Sequence, residues 1–211
     1  KNLRLYKLSR LILLHLKAKF KEIGTFFHNK GSYKRKVKTD KAQSYDWNYV
    51  KLGWYYKEQG NDEKAEQMFK KAIEIDPSND WPYLELGQYY KLKGKFEEAK
   101  KLFEKGLEIN PYSYWINIGL GWFYYDRNDY NLAEEMFKKA IQINPQRPES
   151  YLWLADLYLK QKRFEEAEEL FKKVLSLEPN NTRACLSLRM IYTFLKKDEP
   201  VENYCKIDNN S

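Results

Sequence analysis

The sequence predicts an all-α protein built from four tandem helix–turn–helix repeats, and the main evidence is a fixed 34-residue period. The first unit spans residues 46–79 and reads DWNYVKLGWYYKEQGNDEKAEQMFKKAIEIDPSN; it recurs at 80–113, 114–147 and 148–181. Apolar residues recur at helical spacing within each unit, and strand signals are absent. The residues that keep the same phase are Leu52, Leu86, Leu120 and Leu154; Gly53, Gly87, Gly121 and Ala155; Tyr56, Tyr90, Tyr124 and Tyr158; Ala65, Ala99, Ala133 and Ala167; Phe69, Phe103, Phe137 and Phe171; and Pro77, Pro111, Pro145 and Pro179.

Each unit is interpreted as two amphipathic helices that pack on each other. Leu52 and Tyr56 share one face of the first helix, and Ala65 and Phe69 share one face of the second. The small residues in phase with Gly53 let the two helices approach closely, and the aromatic rings fill the remaining space. One unit cannot bury its apolar face alone, so the four units are expected to stack on each other.

Local signals predict where the helices begin and end. Asp46 and Asp80 precede the first helices of two units and are predicted to be their N-caps. A residue in the left-handed conformation is predicted between the two helices, and Gly60, Gly94 and Asn128 suit it. Lys162 takes that position in the fourth unit and predicts a looser turn. The proline of each unit ends the second helix.

This 34-residue pattern resembles the tetratricopeptide repeat, and the resemblance covers residues 46–181. It implies a tetratricopeptide-type α-solenoid, a right-handed superhelix with a concave face lined by the first helices. It further implies a scaffold or adaptor for protein–protein interaction. A repeat fold alone does not identify the partner, because the surface of each member decides what it binds.

The segments outside the repeats have a different composition. Residues 1–45 contain 13 Lys and Arg against Glu22 and Asp40, whereas the remaining residues contain 25 basic and 28 acidic side chains. The chain's net charge of +8 therefore comes from its N-terminal part. We interpret residues 1–28 as a basic amphipathic helix, 29–45 as a basic linker, 182–197 as a capping helix and 198–211 as a polar tail.

Three interpretations of the N-terminal helix stay open. Leucine, isoleucine and phenylalanine side chains form a stripe along residues 3–23. The stripe is expected to dock on the chain's own repeats, to lie on an anionic membrane surface, or to belong to a neighbouring domain; docking on protein is favoured. The basic cluster Lys34, Arg35, Lys36 and Lys38 has no further nucleic-acid motif, so nucleic acid is not expected as a partner.

All six tryptophans lie on first helices. Trp47, Trp81 and Trp115 share the second repeat position, and Trp54 and Trp122 share the ninth. The resemblance implies that these positions, with the fifth, twelfth and thirteenth, face the concave groove. The candidate ligand-binding residues are Trp47, Val50, Trp54, Trp81, Leu84, Gln88, Trp115, Ile118, Trp122, Tyr125 and Asp156.

Such a groove suits an apolar or proline-containing peptide, an amphipathic helix, a sugar chain, or residues 3–23 of the same chain. The alternative is that the tryptophans pack between successive first helices. Some family members hold a C-terminal carboxylate with a clamp of Lys, Asn and Arg. The corresponding positions here do not match, which argues against that ligand: they hold Val50, Trp54, Glu85, Glu149 and Trp153.

Catalysis is not expected from these residues. His15 and His28 have no ligand-spaced partner, and the sequence contains neither a phosphate-binding loop nor a Gly-x-Ser-x-Gly motif. No cofactor or metal is expected. Cys185 and Cys205 are predicted to be free thiols in a reducing compartment, so the expected location is cytoplasmic. A membrane-peripheral location is expected if the basic N-terminal helix lies on a membrane.

The surroundings of the repeats in the native protein also leave alternatives open. The sequence opens at Lys1 without a methionine, which is expected of a trimmed product or of a piece of a longer protein. Its Leu- and Lys-rich opening resembles the lead-in to the repeats of bacterial proteins that join them to an SGNH-type hydrolase. A repeat domain of such an enzyme is therefore one hypothesis. Self-association through apolar solenoid ends is another.

Overall fold

The structure, a computed structural model, describes residues 43–196. In this range the chain forms helices and no strand, which confirms the predicted all-α class. The predicted segments 1–28 and 198–211, and most of the predicted linker, lie outside the described residues. The helices are α1 (Gln43–Glu58), α2 (Asp62–Ile75), α3 (Asp80–Leu92), α4 (Phe96–Ile109), α5 (Tyr114–Asp126), α6 (Tyr130–Ile143), α7 (Pro148–Lys160), α8 (Phe164–Leu177) and α9 (Thr182–Leu195).

The helices pair in the order that the period predicts. The two helices of each unit pack on each other, and each second helix packs on the next first helix, so the array is a stack of antiparallel pairs. Helix α1 begins at Gln43, inside the stretch expected to be linker, and α9 ends at Leu195, slightly before the predicted limit of the capping helix.

The turn between the two helices of a unit is the same in all four repeats. Gly60 and Gly94 have φ angles of +73° and +75°, and Asn128 and Lys162 have φ angles of +63° and +62°. In each turn the next backbone N–H returns to a carbonyl of the last helical turn; Arg163, for example, donates to Tyr158 over 2.9 Å. The expectation of a looser fourth turn is therefore wrong, because Lys162 adopts the left-handed conformation itself.

Replacing Lys162 with glycine is expected to raise the free energy of unfolding by about 1 kcal/mol, because a left-handed φ strains a residue that has a Cβ atom. Urea denaturation measures the change. The control is Lys160→Gly, at an exposed helical position of α7, which should lower stability because glycine loses more backbone entropy. A Lys162→Gly variant less stable than the parent would contradict this account.

The helix N-caps differ from the sequence prediction. Asp46 lies inside α1, and Asp80 is the first residue of α3 rather than its cap. The cap of α3 is Asn79, whose Oδ1 accepts a hydrogen bond from the backbone N–H of Trp81 over 3.0 Å. Asn61 caps α2 in a similar way. Asn79 and Asp80 are adjacent and both suit a cap, so the composition of this turn alone did not distinguish them.

Close approach of the two helices depends on the small residue at the eighth repeat position. A Cβ atom placed on Gly87 would lie 2.7 Å from Phe103 Cε1, and one on Gly121 would lie 2.4 Å from Phe137 Cε1. The phenylalanine rings of α4 and α6 therefore lie directly against helix backbone. The fourth repeat accommodates Ala155 at the same position, and that residue is fully buried.

Tyrosines at the eleventh repeat position form hydrogen bonds between neighbouring repeats. Tyr90 Oη donates to a carboxylate oxygen of Glu66 over 2.8 Å, and Tyr158 Oη donates to Glu134 over 2.8 Å. Burial raises the pKa of both carboxyls, but hydrogen bonds from neighbouring Lys, Arg and Tyr side chains outweigh it and lower each pKa to about 2. Both glutamates are therefore ionised at neutral pH.

Helix α9, which the sequence predicts to be a capping helix, carries a further difference from the sequence prediction. Cys185 on α9 is disulfide-bonded, so the expectation of a free thiol is wrong for this residue. The side chains of Leu188 and Tyr192 on the same helix are buried.

Candidate functional site

Four tryptophans form a continuous row across the first helices. The ring centroids lie 6.0 Å apart for Trp47 and Trp81, 6.4 Å for Trp81 and Trp115, and 6.5 Å for Trp115 and Trp153. The rings are tilted or edge-to-face, which is the favoured arrangement of aromatic pairs. We call Trp47, Trp81, Trp115 and Trp153 the tryptophan ladder. Packing between successive first helices, the alternative interpretation from the sequence, is thus part of their role.

Trp153 is not among the groove residues that the sequence predicts. It lies at the sixth repeat position, whereas the other ladder tryptophans lie at the second. The 34-residue period alone therefore could not show that Trp153 continues the row. Its indole also lies 6.4 Å from that of Trp122, which joins the ladder to the ninth-position tryptophans.

The ninth position of one repeat packs on the sixth position of the next. Trp54 Nε1 donates to Glu85 Oε2 over 2.7 Å. A Cβ atom on Gly119 would lie 3.1 Å from Gln88 Nε2 and 2.9 Å from Leu84 Cδ1. This register between first helices explains why several candidate residues are deeply packed.

The candidate residues divide into two groups by burial. The half-buried ones keep part of their indole surface accessible: Trp47, Trp54, Trp81 and Trp115. The others are buried: Val50, Leu84, Gln88, Ile118, Trp122, Tyr125 and Asp156. The accessible part of this surface is thus mainly indole.

Three residues of α3 place polar side-chain atoms in this apolar surface. Trp81, Glu85 and Gln88 follow each other at steps of four and three, so they share one face of the helix. Within the described residues, Trp81 Nε1 and Gln88 Nε2 are buried donors that have no hydrogen-bond acceptor. An unsatisfied buried donor costs about 1–3 kcal/mol, so this cluster is a costly feature of the surface.

Glu85 is the most unusual of the three. Its side chain is 2% exposed, and burial raises its pKa to about 8 although the hydrogen bond from Trp54 acts in the opposite direction. From the sequence, Glu85 is notable only because it does not match the carboxylate clamp. The feature that could have identified it is an acidic residue in the middle of a largely apolar first helix.

Several other charged groups on the first helices have partners. Lys91 Nζ lies 3.0 Å from Asp126 Oδ2, and Asp156, which is 2% exposed, pairs with Arg183 of α9. The indole faces also attract cations: Lys57 Nζ lies 5.7 Å from the ring centroid of Trp54, and the Arg147 guanidinium lies 5.2 Å from that of Trp115.

Residues 43–196 contain neither a candidate metal site nor a candidate membrane span. No group of three or more His, Cys, Asp or Glu side chains in this range could hold a metal ion. None of the helices in the same range combines the length and the apolar character that a membrane span requires.

Stacked helix pairs with a shared first-helix surface define a repeat scaffold. Family models identify the repeat family to which it belongs. Tetratricopeptide repeat models match residues 48–79, 68–101, 92–136 and 124–189. The chain belongs to the tetratricopeptide repeat family. It is an all-α solenoid of the class that serves as protein-interaction scaffolds, whose members are typically non-catalytic.

Solved structures support the same fold. PilF of Pseudomonas aeruginosa is 24% identical with a TM-score of 0.68, over 78% of this chain and 75% of that one. YrrB, described as a tetratricopeptide protein with an unusual peptide-binding site, is 22% identical with a TM-score of 0.55, over 74% and 80%. The first repeat domain of Spaghetti, bound to an HSP90 peptide, is 27% identical with a TM-score of 0.52, over 57% and 96%. No curated protein matches the chain by sequence.

Proposed function

We propose that the chain is a non-catalytic scaffold whose first-helix surface binds a peptide or helical segment of a protein partner along the tryptophan ladder. The observation that carries this proposal is the alignment of three half-buried indoles, Trp47, Trp81 and Trp115, across consecutive repeats. Tryptophan supplies a large rigid contact area, and it is enriched among the residues that dominate binding energy.

The spacing of the ladder suits a regular ligand backbone. Neighbouring rungs are 6.0–6.5 Å apart. Alternate side chains of an extended peptide recur at about 6.6 Å, and residues four apart on a helix recur at about 6 Å. Both forms can therefore place one side chain at each rung.

Peptide binding by YrrB and by Spaghetti supports a peptide ligand for this chain as well. The peptide bound to Spaghetti, SRMEEVD, is acidic. We do not propose an acidic ligand here, because Glu85 and Glu149 lie at positions corresponding to the carboxylate clamp, with Val50, Trp54 and Trp153. None of these side chains is a cation that could hold the carboxylates of such a peptide.

The roles predicted for residues 1–45 remain separate hypotheses. The apolar stripe in residues 3–23, with its docking and membrane interpretations, lies outside the described residues. Salt-sensitive binding of the full chain to anionic vesicles, lost on removing residues 1–45, would support a membrane-peripheral adaptor. The cytoplasmic location, self-association and membership of a larger enzyme likewise stay predictions from the sequence.

The ladder proposal is tested with linear peptides selected from a random phage-displayed library on the full chain. Trp81→Ala and Trp115→Ala are each expected to weaken binding of the selected peptides about thirtyfold, as for a dominant interface aromatic. The control is Tyr112→Ala, because Tyr112 is 79% exposed and lies in the turn before α5. Fluorescence polarisation measures affinity, and circular dichroism checks folding. Unchanged affinity in both folded tryptophan variants would refute the proposal.

A further inference from the structure

Glu85 stands apart from the other deeply buried carboxyl groups of the described residues. Asp156 pairs with Arg183, and Glu168 lies 2.9 Å from Lys172 Nζ. Glu85 has no cationic partner among the residues that the structure describes, and its polar contact there is the indole N–H of Trp54. A buried carboxylate is normally stabilised by a positively charged partner. The described residues do not supply such a partner to Glu85.

The charged side chains on the neighbouring helices do not supply that group. Lys51 Nζ lies 5.4 Å from the Trp47 ring centroid, and Lys57 Nζ lies over the Trp54 ring. Lys91, on α3 itself, is paired with Asp126 of α5. The cations nearest along these helices are therefore directed to other partners.

The surroundings of Glu85 suit a ligand cation. Trp81, one helical turn before Glu85, is half-buried, and the described residues place no cation over its ring. Indoles of the same surface hold cations at 5.2–5.7 Å elsewhere, so this surface readily forms cation–π contacts. A Lys or Arg side chain at Glu85 would thus meet both a carboxylate and an aromatic ring.

The two donors without acceptors indicate the form of the ligand backbone. Trp81 Nε1 and Gln88 Nε2 lie on either side of Glu85 along α3, and Gln88 is 6% exposed. Carbonyl oxygens of an extended peptide can accept from them. Most carbonyl oxygens of a helical ligand are already used within the helix. The donors therefore favour an extended segment.

We propose that Glu85, with Trp54 and Trp81, forms a specificity site that receives one Lys or Arg side chain of an extended peptide bound on the first-helix surface. The site accepts the cation at the carboxylate, while Trp81 Nε1 and Gln88 Nε2 donate to carbonyl oxygens of the peptide backbone. This inference rests on the proposed function of the ladder and adds the charge and the backbone form of the ligand.

A double-mutant cycle tests the site with the peptides selected above. We expect a Lys or Arg to recur in them, and its replacement by Gln to weaken binding to the parent chain about tenfold or more. The same peptide change should have little effect on Glu85→Gln, which keeps the shape and the acceptor for Trp54. Glu98→Gln is the control, because Glu98 is exposed on α4 of the same repeat. Additive effects would overturn the inference.

The pH dependence of binding is a second readout. A cation binds the ionised form of Glu85, whose pKa burial raises to about 8. Affinity for the Lys or Arg peptide should therefore fall about tenfold for each pH unit below 8, and Glu85→Gln should abolish this dependence. A flat profile in the parent would overturn the inference.

The outcomes separate the two proposals. Selected peptides that bind along the ladder but ignore Glu85 would refute the specificity site and leave the proposed function standing. If the library yields no binding peptide, both proposals fall together.

Discussion

Replacing Phe103 with alanine is expected to lower the free energy of unfolding by about 3–5 kcal/mol, the usual cost of deleting a fully buried aromatic ring. Phe103 is 0% exposed. Its ring lies against Gly87 and close to Gly119, and its centroid is 6.2 Å from that of Phe123. The ring thus contacts α3 and the next repeat together, so its loss leaves a cavity at a junction that rigid helix backbone cannot easily fill.

Phe96 provides the matched control for this experiment. It lies on α4 with Phe103, but its side chain is 38% exposed. Phe96→Ala should cost much less, because it removes little buried surface. Urea denaturation followed by circular dichroism compares the two variants. Equal losses of stability would contradict the assignment of Phe103 to the core.

The second large effect is expected for Glu85→Gln, which should make stability less dependent on pH. The pKa of Glu85 is raised from 4.5 to about 8 in the folded chain by burial, against the hydrogen bond from Trp54. The folded state therefore holds the proton more tightly than the unfolded state. Its contribution to stability is complete below pH 4.5 and is lost as pH rises through 8.

The size of this effect follows from the shift. One pKa unit corresponds to about 1.4 kcal/mol, so the parent should lose several kcal/mol between pH 4.5 and 8. Glu85→Gln should match the parent near pH 4 and be more stable than it at pH 8. Glu66 and Glu134 have lowered pKa values of about 2, so their contributions to stability are lost below pH 4.5. Both glutamates are present in the parent and in Glu85→Gln, so these contributions cancel when the two proteins are compared.

Thermal or urea unfolding at a series of pH values measures the difference. Glu98→Gln, at an exposed position of α4, should track the parent throughout. Parallel stability curves for Glu85→Gln and the parent would show that Glu85 is ionised in the folded chain, contrary to this account.

Much of the fold could be predicted because the period constrains every repeat in the same way. Gly87 and Phe103 recur in phase with their equivalents, and their contact in the structure is the one that a small residue facing a large ring requires. The left-handed turn at Gly60 and Gly94 followed from glycine's conformational freedom. The same turn at Lys162 did not, because its geometry is imposed by the packing of the pair rather than by the residue.

The candidate site was less predictable because it depends on register between repeats. The period located Trp47, Trp81 and Trp115, yet it could not show that Trp153 completes the row. Nor could it show that Trp54 lies against Glu85 in the next repeat. Both contacts join residues at different repeat positions, so they arise from the angle and offset of stacked helices, which a one-dimensional pattern does not contain.

The central claim is that the tryptophan ladder is the surface on which a partner segment binds. Indole N–H signals in ¹⁵N–¹H spectra of the full chain, assigned by single substitutions, test it directly when a selected peptide is added. Binding along the ladder predicts that the Trp81 and Trp115 indole signals shift with the peptide at saturable concentrations. A peptide that binds the folded chain while both signals stay unchanged would contradict the claim and place the binding surface elsewhere.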